Sequence, residues 1–224
     1  MARLDGSLLY DLAGIFMPRR CAACGQALMR LEQGICGDCV EDLPRLRAFD
    51  HPDNKVELIF RGRVPLQAAG AWLQFTKDGM VQHMLHHLKY RGDTAVGLEL
   101  GKRMAEEAMA SRRFGDVDVV LPVPLHRRKL KQRGYNQAQV LVDGMCQVWP
   151  LRQAGTGLLR VVHTSTQTRR GRLARWGNVK EAFQLADPGE LRNAHVLLVD
   201  DVVTTGATLE SCAKALLHVP GIRV

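Results

Sequence analysis

Two carboxylates followed by a small, hydroxyl-rich turn are the residues of this chain best placed to do chemistry. His195 to Leu209 reads H-V-L-L-V-D-D-V-V-T-T-G-A-T-L, so Asp200 and Asp201 follow the apolar run Val196 to Val199 and precede Thr204, Thr205, Gly206, Ala207 and Thr208. Ionised aspartates only accept hydrogen bonds, which suits sugar hydroxyls or a hydrated Mg²⁺. A threonine and glycine turn opening a helix offers an anion free backbone N–H groups, hydroxyls and the positive end of the helix dipole. One phosphate beside one diol describes a phosphorylated ribose. The stretch is neither a Walker A loop nor a dinucleotide fingerprint, because G-x-x-x-x-G-K-[ST] and G-x-G-x-x-G are both missing from it.

A second constellation lies near the amino terminus. Cys21, Cys24, Cys36 and Cys39 form two C-x-x-C knuckles, C-A-A-C and C-G-D-C, the pattern that presents four thiolates to one Zn²⁺. Gly25 follows the first knuckle and Gly37 lies in the second, where tight turns aim N–H groups at sulfur. A closed four-thiolate site has no open position for water, so its expected role is structural or in partner contact. Redox disulfides are the alternative, disfavoured in a reducing compartment. Cys146 and Cys212 fall in helical patterns and read as buried.

Cations gather in two further places. Arg127, Arg128, Lys129, Lys131 and Arg133 follow P-V-P-L-H at 122–126, a candidate for binding pyrophosphate, with a solvated basic loop as the plainer reading. The stretch His163 to Lys180 carries Arg169, Arg170, Arg172 and Arg175 around Trp176. A loop that long is usually functional or mobile, and its arginines suit either closure over a polyphosphate or a nucleic-acid strand held by phosphate contacts and base stacking. His83, His86 and His87 share a helix at i, i+3 and i+4 but lack a third ligand, so they read as solvated or core histidines.

The elements that must position these groups follow from pattern. Val196 to Val199 is the short apolar run of a strand buried on both faces of a parallel sheet, which places the aspartates at a strand's carboxyl end, where open α/β sheets bind ligands. Asp116 to Leu121 reads as another strand, stopped by Pro122 and Pro124, with Leu158 to Val162 a brief third. Leu66 to Phe75 reads as an opening strand. Helices are expected over Met80 to Tyr90, over Leu98 to Met109 capped near Asp93 or Thr94, from Gly134-Tyr135-Asn136-Gln137 to about Val148, and after the threonine turn to about Leu217. The domains expected are 1–50, an amino-terminal helix and zinc module; 51–65, a polar connector; and 66–224, the α/β domain.

With 224 residues and 46% hydrophobic content the chain can bury one ordinary α/β core plus a small module. A formal charge of +8 favours anionic partners, phosphorylated small molecules and nucleic acid alike. No apolar run approaches a membrane span. Ser7 to Met17 is broken by Asp11 and lacks a small-residue cleavage site, so it reads as a short amphipathic helix of a cytoplasmic protein, with a cleaved signal or surface anchor as the alternative.

V-L-L-V-D-D-V-V-T-T-G-A-T at 196–208 resembles the phosphoribosyl-pyrophosphate (PRPP) motif of type I phosphoribosyltransferases. Together with the cysteine knuckles, L-K-Y-R-G-D at 88–93, P-V-P-L-H at 122–126, R-G-Y-N-Q-A at 133–138 and the pattern from T-x-Q to R-x-x-N-V-x-x-A-F at 166–183, it makes almost the whole chain resemble the ComF/GntX family. The resemblance implies a type I phosphoribosyltransferase-like α/β fold, a twisted and mostly parallel sheet flanked by helices, behind a small zinc-ribbon-like module. It implies that Asp200 and Asp201 hold the ribose hydroxyls with Mg²⁺ nearby, that Thr204 to Thr208 take the 5′-phosphate, and that Pro122, Val123, Pro124 and Leu125 form the pyrophosphate loop. Arg133, with Arg169 and Arg175, would offset leaving-group charge in the transferase (glycosyltransferase) chemistry. It leaves open whether PRPP is turned over, bound by a nucleic-acid-linked accessory protein of DNA uptake and competence, or sensed by a zinc adaptor. The acceptor and any general base are unnamed, and a homodimer is compatible with the fold. Family members usually continue through a last strand, so Ile222 to Val224 is expected to begin one. Arg170 departs from the apolar residue common at its position.

Overall fold

The computed structural model describes residues 18–154, 158–160, 183–185 and 188–224. The expected helix at 7–17 and the arginine-rich stretch with Arg169 and Arg175 lie outside them.

Three parallel strands form the central sheet. β1 (Val119–Pro122) pairs with β5 (Val196–Val199) in the register Val119↔Val196 to Pro122↔Val199, and β2 (Arg152–Gln153) flanks β1 on its other side. These strands carry no alternation of apolar and polar residues because both faces are covered. Val120 and Val199 pack with Leu88, Leu100, Leu141 and Met145 on one face, while Val119, Leu121 and Val196 pack with Phe60, Leu191 and Leu216 on the other. A bridge between His195 and Arg223 starts a further parallel neighbour of β5, where Ile222 and Val224 are buried. β3 (Leu158–Arg160) and β4 (Phe183–Leu185) make a separate antiparallel pair beside Val123 and Cys212.

Seven helices surround the strands among the described residues. α1 (Gly37–Glu41) closes the second cysteine knuckle, and α2 (Lys55–Phe60) lies in the segment read as polar connector. α3 (Met80–Tyr90) and α4 (Thr94–Ala110) precede β1, with Asp93 at the start of α4. α5 (Arg127–Arg133) and α6 (Gln137–Met145) follow β1, and α7 (Ala207–Leu216) follows β5. Helices α4 and α6 approach almost backbone to backbone: a Cβ on Gly101 or Gly144 would run into the facing main chain of Leu141 or Leu98.

Two expectations change. Leu66 to Phe75 is not a strand: it meets residues 44–46 only at the isolated antiparallel bridge Arg45↔Leu73, flanked by Leu46 N to Trp72 O at 2.8 Å and Gln74 N to Pro44 O at 2.9 Å, and its start is held by Gln67 N to Val224 O at 2.7 Å, because the small residues Ala68 to Ala71 give it no β-branched face to pair. The basic stretch after P-V-P-L-H is a short helix, opened by the His126 side chain accepting from Arg128 N and closed by Gly134 in the left-handed conformation. The architecture is thus mixed α/β around a parallel sheet, with a cysteine module whose Cys21, Ile35, Leu43 and Phe49 merge into the core of the α3 and α4 face. No described helix is long and apolar enough to cross a membrane.

Candidate functional site

The four cysteine sulfurs lie within 4.8 Å of one another. Tetrahedral thiolates on zinc at about 2.3 Å would stand about 3.8 Å apart, and Cys24 Sγ and Cys36 Sγ are 3.8 Å apart. That is too far for a disulfide, and all six cysteines are free. The knuckles are built by backbone bonds such as Gly25 N to Cys21 O at 2.8 Å, and Cys36 N donates to Cys21 Sγ at 3.4 Å. Burial pushes the Cys21 thiol up, but the N–H groups of Cys24, Cys36 and Ala23 outweigh it and bring it to about 7. Burial, and after it the neighbouring Cys36, Cys24 and Cys21 sulfurs, push the Cys39 thiol the other way, upward. These residues fit a structural Zn²⁺.

At the carboxyl end of the sheet, β1 and β5 deliver their loops to the same edge. Val123 N donates to Val199 O at 2.8 Å, so the Pro122–Leu125 loop leaves the sheet stitched to the residue before Asp200. Asn136 holds that loop from the other side through Nδ2 to Val123 O at 2.9 Å, while its Oδ1 accepts from Ala138 N to open α6.

Asp200 and Asp201 are half-buried, and Asp200 Oδ1 accepts from Asp201 N at 2.8 Å. Burial, with the neighbouring Asp201 charge, raises the Asp200 carboxyl to about 7, against a smaller opposing pull from Lys89. An apolar cavity of about 510 Å³, lined in part by Leu85, Leu197, Val199 and Val202, reaches the two aspartates and accounts for the poor solvation. Asp201 is answered by the Lys89 ammonium at the end of α3.

Lys89 is itself held by the R-G-Y-N-Q-A segment at 133–138. Tyr135 donates its hydroxyl to the Leu88 carbonyl, and the Arg133 guanidinium lies 5.3 Å from the centre of the Tyr90 ring. Arg133 also donates to Gln137 Oε1 at 2.7 Å. The R-G-Y-N stretch therefore clamps L-K-Y from both sides of the lysine.

The turn after β5 ends with Gly206 at φ 72°, and α7 begins at Ala207. Thr204, Thr205 and Ala207 are exposed, Gly206 is buried and Thr208 is half-buried on the first helical turn. Arg127, Arg128, Lys129 and Lys131 stay exposed on α5.

Comparison with known proteins gives consistent relatives. The chain is 28% identical over 201 residues to "DNA utilization protein YhgH" of Salmonella typhi, covering 88% of this chain and 84% of that protein. It is 29% identical over 197 residues to "Competence protein F" of Haemophilus influenzae, covering 88% and 77%, and 26% identical over 145 residues to "Competence protein ComFC" of Bacillus subtilis, covering 64% and 56%. These relatives support kinship with the ComF/ComFC family. No family model matches it, and no solved structure does.

The structure brings together Asp200, Asp201, the Thr204–Thr208 turn, Pro122, Val123 and Pro124 at one edge of the sheet, with Arg133 one step back against Tyr90. The cysteines form their own cluster on the module. The histidines of α3 do not form a metal group: His83 and His86 are exposed, and His87 Nδ1 faces Asp93 at 3.5 Å. Sequence reasoning missed Lys89, the partner of Asp201. Lys89 sits inside the L-K-Y-R-G-D motif, which was a usable signal.

Proposed function

We propose that this ComF-type chain is an accessory protein of DNA utilisation or competence that handles nucleic acid, with an α/β domain that binds a phosphorylated ribose. The observation that carries the reading is a shared edge: a carboxylate pair and the threonine turn follow β5, and the exposed cations of α5 follow its parallel neighbour β1. The names of the relatives support it, as does the net charge of +8. Carboxylates accept from ribose hydroxyls, the turn donates to a 5′-phosphate, and the cations of α5 meet further phosphates of a strand. The cysteine module, loaded with zinc, serves as a scaffold.

PRPP is the second ligand on this reading, and transfer of its 5-phosphoribosyl group the second function. Asp200 favours it: a carboxyl raised to about 7 exchanges its proton at neutral pH. Asp200 and Asp201 are oxygen donors of the kind Mg²⁺ takes, and the metal would supply charge neutralisation to a departing pyrophosphate. Asp200 would then receive a proton from an acceptor, while Lys89, released from Asp201, and Arg133 would meet developing negative charge.

The test is calorimetric titration of the zinc-loaded protein with short single-stranded DNA at two salt concentrations, and with PRPP plus Mg²⁺. The reading predicts saturable DNA binding that weakens steeply with salt, and ligand binding at the turn that Asp201→Asn abolishes. Absence of both signals would overturn it. PRPP binding accompanied by pyrophosphate release with an added acceptor would make transfer the primary function.

A further inference from the structure

The Thr204–Thr208 turn is held from behind by a residue outside every motif. Arg63, just past the end of α2, donates through Nη1 to the Thr205 carbonyl at 2.9 Å and to the Ile59 carbonyl at 3.0 Å. Its Nη2 pairs with Glu210 on α7. One guanidinium thus ties together the end of α2, the turn and the first half of α7.

Helix α2 is a firm support for that tie. Asn54 caps it by accepting from Val56 N at 3.0 Å and donates to the Ala69 carbonyl at 2.8 Å. Glu57 pairs with Arg113 at 2.6 Å, and Phe60 is buried in the core beneath β1 and β5. Gly206 lies against this surface: a Cβ there would come within 2.8 Å of the Ile59 and Phe60 side chains.

The consequence for the turn follows from peptide geometry. A trans peptide is planar, so its C=O and N–H point in opposite directions. Holding the Thr205 carbonyl on the α2 side turns the Gly206 N–H away from α2, toward the open side of the turn. An amide fixed in that direction before an anion arrives spares the ligand the cost of ordering it.

We propose that Arg63 is a positioning residue of the anion-binding turn, so that the segment between the cysteine module and the sheet sets the turn's affinity for phosphate. The proposal rests on reading the turn as a phosphate cradle. Arg63 needs no contact with the ligand. Its planar fork serves two carbonyls and a carboxylate together, a combination that a lysine ammonium on a flexible stem reproduces only in part.

The experiment uses the full zinc-loaded chain, with ribose 5-phosphate as the probe and two readouts: calorimetric affinity, and amide hydrogen exchange across Thr204 to Thr208 without ligand. Arg63→Ala is expected to weaken ribose 5-phosphate binding about tenfold and to speed exchange in the turn. Arg63→Lys should recover part of both. Arg61→Ala removes the same charge from an arginine that pairs with Asp53 instead of the turn, and should match the wild type. If Arg63→Ala does not fold, Arg63→Lys and Glu210→Gln carry the test, each with about a threefold loss. Unchanged exchange in Arg63→Ala, or unchanged affinity where the wild type binds, would overturn the proposal, as would an equal loss in Arg61→Ala. A wild type that ignores ribose 5-phosphate while its turn still loosens without Arg63 would uphold the positioning role and remove the phosphate reading instead.

Discussion

The Lys89 ammonium is ion-paired with the Asp201 carboxylate, joining the last turn of α3 to the carboxyl end of β5. Both side chains are mostly buried, so neither charge is left to water. The pair also keeps two adjacent aspartates from acting as two bare negative charges, and it places a cation at the sheet edge beside the proposed phosphate turn.

Lys89→Met should therefore destabilise the protein by about 1–3 kcal/mol, the cost of leaving a buried charged partner unanswered. It should also weaken PRPP binding by at least about tenfold, while Lys89→Arg keeps most of the stability. Denaturant unfolding and titration calorimetry check the two effects separately.

The raised Asp200 carboxyl has a definite signature in stability. In the unfolded chain it titrates near the ordinary aspartate value of about 4, and in the fold it titrates at about 7. Between those values the folded state holds a proton that the unfolded state has lost, so this group makes stability fall as pH rises from about 4 to about 7, with no further change above. Asp200→Asn should flatten that slope and raise the melting temperature at pH 8 relative to wild type. A melting series from pH 5 to pH 8 on both proteins decides it, and parallel curves would contradict the assignment.

The sequence carried the strands and the sheet edge well because their signals are local. Four apolar residues ending at two aspartates announce β5, and P-V-P announces the end of β1. The helix α3 was readable to the residue, since its buried positions Val81, Met84, Leu85 and Leu88 repeat at helical spacing. Contacts between distant segments were not readable. Nothing in Lys89 or Asp201 names the other, and Arg63 lies among charges that elsewhere are solvated. Leu66 to Phe75 was misread because its apolar content serves to cover Phe49 and Val81 in the core, a tertiary role that imitates a strand's composition.

The cysteine module should bind one zinc per chain. Its buried Cys21, Cys36 and Cys39 share a core with Leu88 and Val96, so metal removal should lower the stability of the whole domain as well as unfold the module. Metal analysis before and after chelation, with calorimetric melting of both samples, measures this. Cys36→Ser should reproduce the chelated state, and a metal-free protein with an unchanged melting temperature would refute it.

Gly206→Ala should cost more than an ordinary surface change. The residue sits at φ 72°, where a side chain is strained, and the new methyl meets Ile59 and Phe60. A loss of about 1–3 kcal/mol is expected for the conformation, with added loss from displaced α2. Because the turn would shift with it, ligand affinity should fall together with the denaturation midpoint.

The exposed cations of α5 separate the two anionic ligands. Arg127, Arg128, Lys129 and Lys131 make no ion pair among the described residues and stand clear of the turn's own hydrogen bonds. Replacing all four with alanine should weaken single-stranded DNA binding for every sequence, because phosphate contacts carry no base preference. The dependence of log affinity on log salt should become shallower by about 0.7 for each cation that contacts a phosphate. Ribose 5-phosphate has only one phosphate to offer, which on the proposed reading the turn would take through backbone N–H groups, so its affinity should change far less. Equal losses for both ligands would place α5 in the small-molecule site and count against a strand-binding role. A DNA affinity with an unchanged salt slope would remove α5 from the interface altogether.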